Sequence, residues 1–121
     1  HPTLFLRIRL GGDDMIGPGK AALLDRIAAT GSIAAAARDL GMSYKRAWML
    51  IETLNAMFDM PLVESSRGGT GKGGAVLTER GREVLAEYRA VEQVAATQAA
   101  PHLTRLQGWL RRPDERLRPK D

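Results

Sequence analysis

A chain of 121 residues, 44% apolar but only 5% aromatic, can bury one core built mostly from Leu, Ile, Val and Ala. It has no cysteine, which excludes disulfides, a thiolate metal site and a cysteine nucleophile; no apolar run of about 18 residues offers a membrane span, and no signal peptide is visible. The formal charge is +4 with a pI near 10, yet the first hundred residues carry twelve cations against eleven carboxylates and the last 21 carry six against three. Global basicity is therefore weak support for a nucleic-acid partner, and local placement has to decide.

In chain order, Leu4-Phe5-Leu6-Arg7-Ile8-Arg9-Leu10 alternates strictly, which predicts a half-buried strand with Leu4, Leu6, Ile8 and Leu10 inward. Gly11 to Asp14 reads as a turn, and Met15-Ile16 as a short returning strand. Pro18 opens a helix with an apolar face of Leu23, Leu24 and Ile27, and Gly31 can end it in the left-handed conformation. Ser32 caps a short helix, Ile33 to Leu40, whose alanines Ala34 to Ala37 allow another helix to approach closely. After the hinge Gly41-Met42, Ser43 caps a third helix over Tyr44 to Phe58. Its stripe of Ala47, Ile51, Leu54 and Phe58 is core, Lys45, Met49, Glu52 and Ala56 point away, and Tyr44, Trp48 and Asn55 flank it. Pro61 halts helical propagation. Leu62 to Ser65 and Ala75 to Leu77 then read as two strands around the glycine-rich loop Arg67 to Gly74, a hairpin of the kind called a wing. Thr78 caps a long helix, which Pro101 is expected to break or kink before a second amphipathic segment, Leu103 to Leu110. From Arg111 on the composition is that of a frayed polar tail.

Residues 32–58 form a candidate helix-turn-helix. Lys45 and Arg46 occupy the first turn of the third helix, where the macrodipole disfavours cations, so something anionic is expected opposite them. With DNA as that partner, Ser43, Tyr44, Lys45, Arg46 and Met49 come within reach of phosphates or base edges, with Ser32 at the head of the preceding helix. Arg67, Gly68, Gly69, Thr70, Lys72 and Gly73 would lie along the phosphates or in a minor groove. Two nucleotide-binding patterns nearly fit this loop. Gly69-x-Gly71-x-x-Gly74 matches a dinucleotide fingerprint but precedes a strand instead of a helix; Ser66 to Gly73 approaches a P-loop but lacks its first glycine and the hydroxyl residue after Lys72. No nucleophile–base pairing or metal-ligand spacing occurs, so no catalytic residue, cofactor or metal is expected. The spacing Val84, Tyr88, Val91, Ala95 is coiled-coil-like and predicts either packing at home or a homodimer seam.

The runs Gly31 to Ala37, Gly41 to Trp48, Pro61-Leu62-Val63, Gly68-Gly69, Gly73-Gly74-Ala75 and Leu77 to Gly81 together resemble the N-terminal domain of the ModE family of molybdate-dependent transcriptional regulators. A more distant similarity is to the LysR-type winged helix. The resemblance covers about residues 4–93. It implies a winged helix-turn-helix, a dimer through the long C-terminal helix, and operator DNA as partner. Regulators of that family also have C-terminal molybdate-binding domains, for which these 121 residues leave no room, so molybdate sensing is not carried over.

The resulting expectation is an α+β winged helix-turn-helix with a short N-terminal strand and a long C-terminal dimerisation helix. The DNA-binding domain is placed at 1–82, the dimerisation segment at 83–111 and the tail at 112–121. The expected function is a cytoplasmic regulator of transcription that binds double-stranded DNA as a homodimer, without membrane or small-molecule partners. A winged-helix protein-interaction module that does not bind DNA is the alternative.

Overall fold

Local signals set most element boundaries in the computed structural model, which describes residues 3–67 and 73–115. The order is β1 (Ile8–Gly11), β2 (Asp14–Ile16), α1 (Pro18–Thr30), α2 (Ile33–Leu40), α3 (Tyr44–Met57), β3 (Val63–Arg67), β4 (Gly73–Leu77) and α4 (Glu79–Gly108), followed by a 3-10 turn at Pro113–Glu115. This is an α+β arrangement of four helices and two separate antiparallel hairpins, β1-β2 and β3-β4. Among the described residues no helix is long and apolar enough to cross a membrane.

The caps fall where the hydroxyl residues do. Ser32, Ser43 and Thr78 accept from the backbone N–H groups of Ala35, Arg46 and Gly81, at 3.1, 3.0 and 3.0 Å. Gly31 and Gly41 end α1 and α2 with φ of 69° and 67°, the left-handed region that glycine enters without a Cβ penalty. The resulting tight turns let α1, α2 and α3 pack as a trihelical unit.

Its core is aliphatic, as the low aromatic content requires. Leu23, Leu24 and Ile27 from α1, Ala36 and Ala37 from α2, and Ala47, Ile51 and Leu54 from α3 meet Leu62, Val63, Ala75 and Leu77 at the base of the second hairpin. Each fully buried Leu or Ile stabilises the fold by roughly 1.5–3 kcal/mol. Phe58, expected at the end of the core stripe, is only half-buried, since α3 stops at Met57 and Phe58 is already extended. A second cluster joins Ile16 and Ala21 to Tyr88 of α4.

Three expectations need correction. The inward alternation of the first strand holds for Leu4, Leu6 and Ile8 but fails at Leu10, which is 52% exposed. The register between β1 and β2 shifts between Arg9 and Gly11, which leaves Leu10 unpaired at a bulge, open to solvent at the rim of the cavity that Ile8 and Ile16 also line. The strands of the second hairpin run further into the glycine-rich segment than expected, with Arg67 paired to Gly73 and Ser66 to Gly74. Finally, α4 does not end near Pro101 but passes through it to Gly108. The missing N–H leaves only the carbonyl of Thr97 without its helical partner, and Thr97 is exposed, so water can satisfy it. Alanines at 95, 96, 99 and 100 favour the helix on the N-terminal side of that point. The same helix crosses residues 82–83 without a break.

Candidate nucleic-acid interface

The N-terminal end of α3 stands clear of the core. Ala47, Ile51 and Leu54 anchor one face, and the turn before the helix is fixed by the Met42 N–H donating to the Ala37 carbonyl at 3.0 Å. Tyr44, Lys45, Arg46, Trp48 and Met49 are all exposed. Ser43, Lys45, Arg46, Met49, Leu50 and Thr53 line a shallow depression of about 260 Å³ on this surface. The structure therefore brings five of the expected contact residues, 43–46 and 49, onto one outward end. Trp48, expected mainly to pack beside the core stripe, is 47% exposed on the same end.

The ion pairs among the described residues fall away from this end. Arg26 pairs with Asp39 at 3.5 Å, and Arg80 with Asp59 at 3.1 Å and Glu83 at 3.2 Å. Arg89 pairs with Asp25 and with Glu92. Lys45 and Arg46 take part in no ion pair among the described residues. Two cations held without a carboxylate in the first turn of a helix raise the local potential instead of cancelling it. The hydroxyl oxygens of Ser32 and Ser43 accept from the Ala35 and Arg46 N–H groups, which leaves each O–H free to donate outward.

The second hairpin is fastened to this surface by contacts that sequence patterning does not reveal. Asn55 on α3 accepts from the N–H groups of Leu62 at 2.8 Å and Val63 at 3.1 Å, and its Nδ2 donates to the Val63 carbonyl at 3.0 Å. One side chain thus locks α3 to β3. The only hint in the sequence is a polar residue flanking an apolar stripe shortly before Pro61. On the other strand, the Ala75 N–H donates to the Gly31 carbonyl at 3.0 Å. A Cβ on Gly74 would sit 2.6 Å from Ser66 Oγ and 2.9 Å from the Gly31 oxygen, so this close approach requires glycine. The hairpin base therefore has a fixed position relative to α2 and α3. Of the expected wing residues, Arg67 and Gly73 form the last described rung; Gly68, Gly69, Thr70 and Lys72 lie outside the described residues.

The expected dimer seam divides. Val91 is exposed and Ala95 half-buried, but Val84 packs partly against both clusters, and Tyr88 is 3% exposed. The Tyr88 hydroxyl donates to the Leu6 carbonyl at 2.6 Å, so this side chain is consumed within its own chain and cannot serve as an interface residue. The N-terminal segment folds over the helix at that point. Among the described residues no three His, Asp or Glu side chains cluster as a metal site.

Comparisons with known proteins agree with this arrangement. The chain is 39% identical over 112 residues to the molybdenum-pterin-binding protein MopA of Rhodobacter capsulatus, covering 93% of this chain and 41% of the relative. It is 41% identical over 92 residues to the DNA-binding transcriptional dual regulator ModE of Escherichia coli K12, covering 76% of this chain and 34% of the relative. The chain thus spans well under half the length of either. A crystal structure of a CbnR_DBD–DNA complex superposes with a TM-score of 0.58 over 73% of this chain and 95% of that one; at 23% identity this speaks for the fold alone. Residues 20–82, more than half of the chain, match the model of the bacterial regulatory helix-turn-helix proteins of the lysR family, and the chain belongs to that family.

Proposed function

We propose that this chain is the DNA-binding part of a transcriptional regulator that binds operator DNA as a homodimer and has no catalytic activity. The observation that carries the reading is the pair Lys45 and Arg46, exposed and without ion pairs among the described residues, at the N-terminal end of a capped helix. That end enters the major groove, where Lys45 and Arg46 donate to phosphates or guanine edges and Met49 offers an apolar contact to a thymine methyl. Tyr44, Ser43 and Ser32 donate their hydroxyls to phosphates. The wing, from Arg67 through Gly68, Gly69, Thr70 and Lys72 to Gly73, follows the backbone. Val91 and Ala95 on α4 face the second copy, which sets the spacing of the two reading helices.

A protein-interaction module without DNA binding is the second reading. It is favoured by Glu52, exposed about two turns beyond the cations, and by the near-neutral balance of the first hundred residues.

A salt titration on duplex genomic fragments separates the two. Groove binding gives an affinity that falls linearly on logarithmic axes, and Lys45→Ala or Arg46→Ala each lowers that slope by about 0.9 for a lost phosphate contact. Absent binding, or binding indifferent to salt and to both substitutions, refutes the DNA reading.

A further inference from the structure

A single carboxylate stands on the outward face of α3. At 100° per residue, Lys45, Met49, Glu52 and Ala56 fall in one stripe about 60° wide, on the side of the helix opposite the buried Ala47, Ile51 and Leu54. Lys45, Met49 and Glu52 are all exposed. Glu52 takes part in no ion pair among the described residues, and its neighbours one turn away, Trp48, Met49, Asn55 and Ala56, supply no cation. The depression on this surface reaches from Ser43 to Thr53, so the open face continues through the turn that carries Glu52.

Against DNA phosphates a carboxylate is repelled wherever it lies, and α3 carries no other acid. The floor of the major groove is different. An ionised carboxylate can only accept. Guanine presents the acceptors N7 and O6 there and thymine the acceptor O4, whereas the donors are the N4 amino group of cytosine and the N6 amino group of adenine. The adenine amino group is flanked by acceptors on both sides, its own N7 and the O4 of its thymine, and both repel the second carboxylate oxygen. The cytosine amino group has an acceptor on one side only, the O6 of its guanine. Cytosine is therefore the base that a glutamate in the groove selects. Glu52 follows Lys45 by seven residues, about 10 Å along the helix axis, which corresponds to about three base-pair steps.

We propose that Glu52 is a specificity-determining residue: it accepts from the N4 amino group of a cytosine in the major groove, within about three base pairs of the contact made by Lys45. Lys45 and Arg46 attract any duplex, and Glu52 subtracts from that attraction wherever the cytosine is missing. The carboxylate thus lowers affinity for random DNA and widens the gap between the operator and all competing sites. The assignment rests on the DNA reading proposed above and goes beyond it by naming a base and the side chain that reads it.

Selection from a library of random duplexes, run at one salt concentration on the unmodified chain, Glu52→Gln and Glu52→Ala, tests this. Glu52 is exposed, so both substitutions spare the core, and circular dichroism checks that the helices are kept. The unmodified chain should select cytosine at one position of its site. Glu52→Gln should select adenine there, because the amide oxygen accepts from N6 while the amide nitrogen donates to N7. Glu52→Ala should take any base at that position, with the rest of the site unchanged. On the duplex that the unmodified chain selects, Glu52→Ala should bind about fivefold or more weakly. On a scrambled duplex both variants should bind about twofold more tightly, since one repulsive charge is gone. A selected site without a cytosine preference, a preference that survives in both variants, or binding that tightens equally on selected and scrambled duplexes overturns the role of Glu52 and leaves DNA binding standing. An unmodified chain that retains no duplex from the library overturns both.

Discussion

Replacing Asn55 by alanine tests whether the hairpin is held to α3 in the way the geometry indicates. The side chain accepts from two N–H groups, of Leu62 and Val63, and donates to the Val63 carbonyl. Leu62 and Val63 are 0% and 4% exposed, so the two N–H groups lose their acceptor in a place where little water can replace it. A buried donor left without a partner costs about 1–3 kcal/mol. Asn55 itself is half-buried, and water entering its vacated space lowers the cost, so the loss should be about 2–4 kcal/mol in all. For a domain whose total stability is about 5–15 kcal/mol this is a large fraction. In urea, with an m-value of about 2 kcal/mol/M, the midpoint should fall by about 1–2 M with m unchanged. Asn55→Asp keeps both acceptor bonds but sets a carboxylate oxygen against the Val63 carbonyl in place of the Nδ2 donor, so it too should be less stable than the parent. An alanine variant whose midpoint stays within about 0.2 M of the parent would show that the three bonds contribute nothing net, and the reasoning would be wrong.

Gly81→Ala should be more severe than its size suggests: the added Cβ would stand 2.1 Å from the Leu62 carbonyl oxygen, which is backbone and cannot swing away. A loss at or beyond the upper end of the about 1–3 kcal/mol typical of overpacking is expected in urea, and a change below about 0.5 kcal/mol would contradict the packing. Burial, then the charge of Glu92, raise the Tyr88 pKa above its ordinary value near 10.0, against the opposing charge of Arg89. The neutral phenol is thus the folded form; its contribution is complete below about pH 10 and disappears as pH rises through the folded pKa. Tyr88→Phe should therefore lower stability at neutral pH through the lost bond to Leu6, by about 0.5–1.5 kcal/mol, yet flatten the fall of Tm above about pH 10. An unchanged alkaline slope would remove Tyr88 from the account. Pro101→Ala restores the Thr97 carbonyl bond in a helix interior, where alanine is favoured by about 3 kcal/mol. Amides around residues 98–106 should exchange more slowly as a result, and equal exchange in both proteins would mean that the proline imposes no local cost.

Most of the fold could be read from short-range signals because short-range forces set it. Ser32, Ser43 and Thr78 cap where a hydroxyl precedes an apolar period, Gly31 and Gly41 end helices where φ is positive, and the stripe Ala47, Ile51, Leu54 is buried as its spacing required. The misses arise where something other than the local pattern decides. Tyr88 has the period of an outward seam, but its direction depends on where Leu6 lies, 82 residues away. Leu10 follows a perfect alternation that a bulge against β2 interrupts. Pro101 obeys a local rule against interior proline, which solvent exposure relaxes. Asn55 gave almost no signal, since its partners lie on a strand that the helix does not touch in sequence.

The charge shows most clearly what a count leaves out. Net charge treats every arginine alike, and by that measure the first hundred residues are nearly neutral. The fold sorts them. Arg26, Arg80 and Arg89 are matched to carboxylates and add little field beyond their immediate surroundings. Arg82 donates to the Leu77 carbonyl and Lys20 to that of Met15, so these cations fasten segments together. Lys45 and Arg46 have neither role among the described residues, and they stand where the helix dipole adds to their charge. A near-neutral domain can therefore still present a positive end, because the two cations there have no carboxylate partner among the described residues. On this view, removing Asp59 or Asp39 should cost stability and leave the attraction of α3 for phosphate almost unchanged, whereas removing Lys45 should do the reverse.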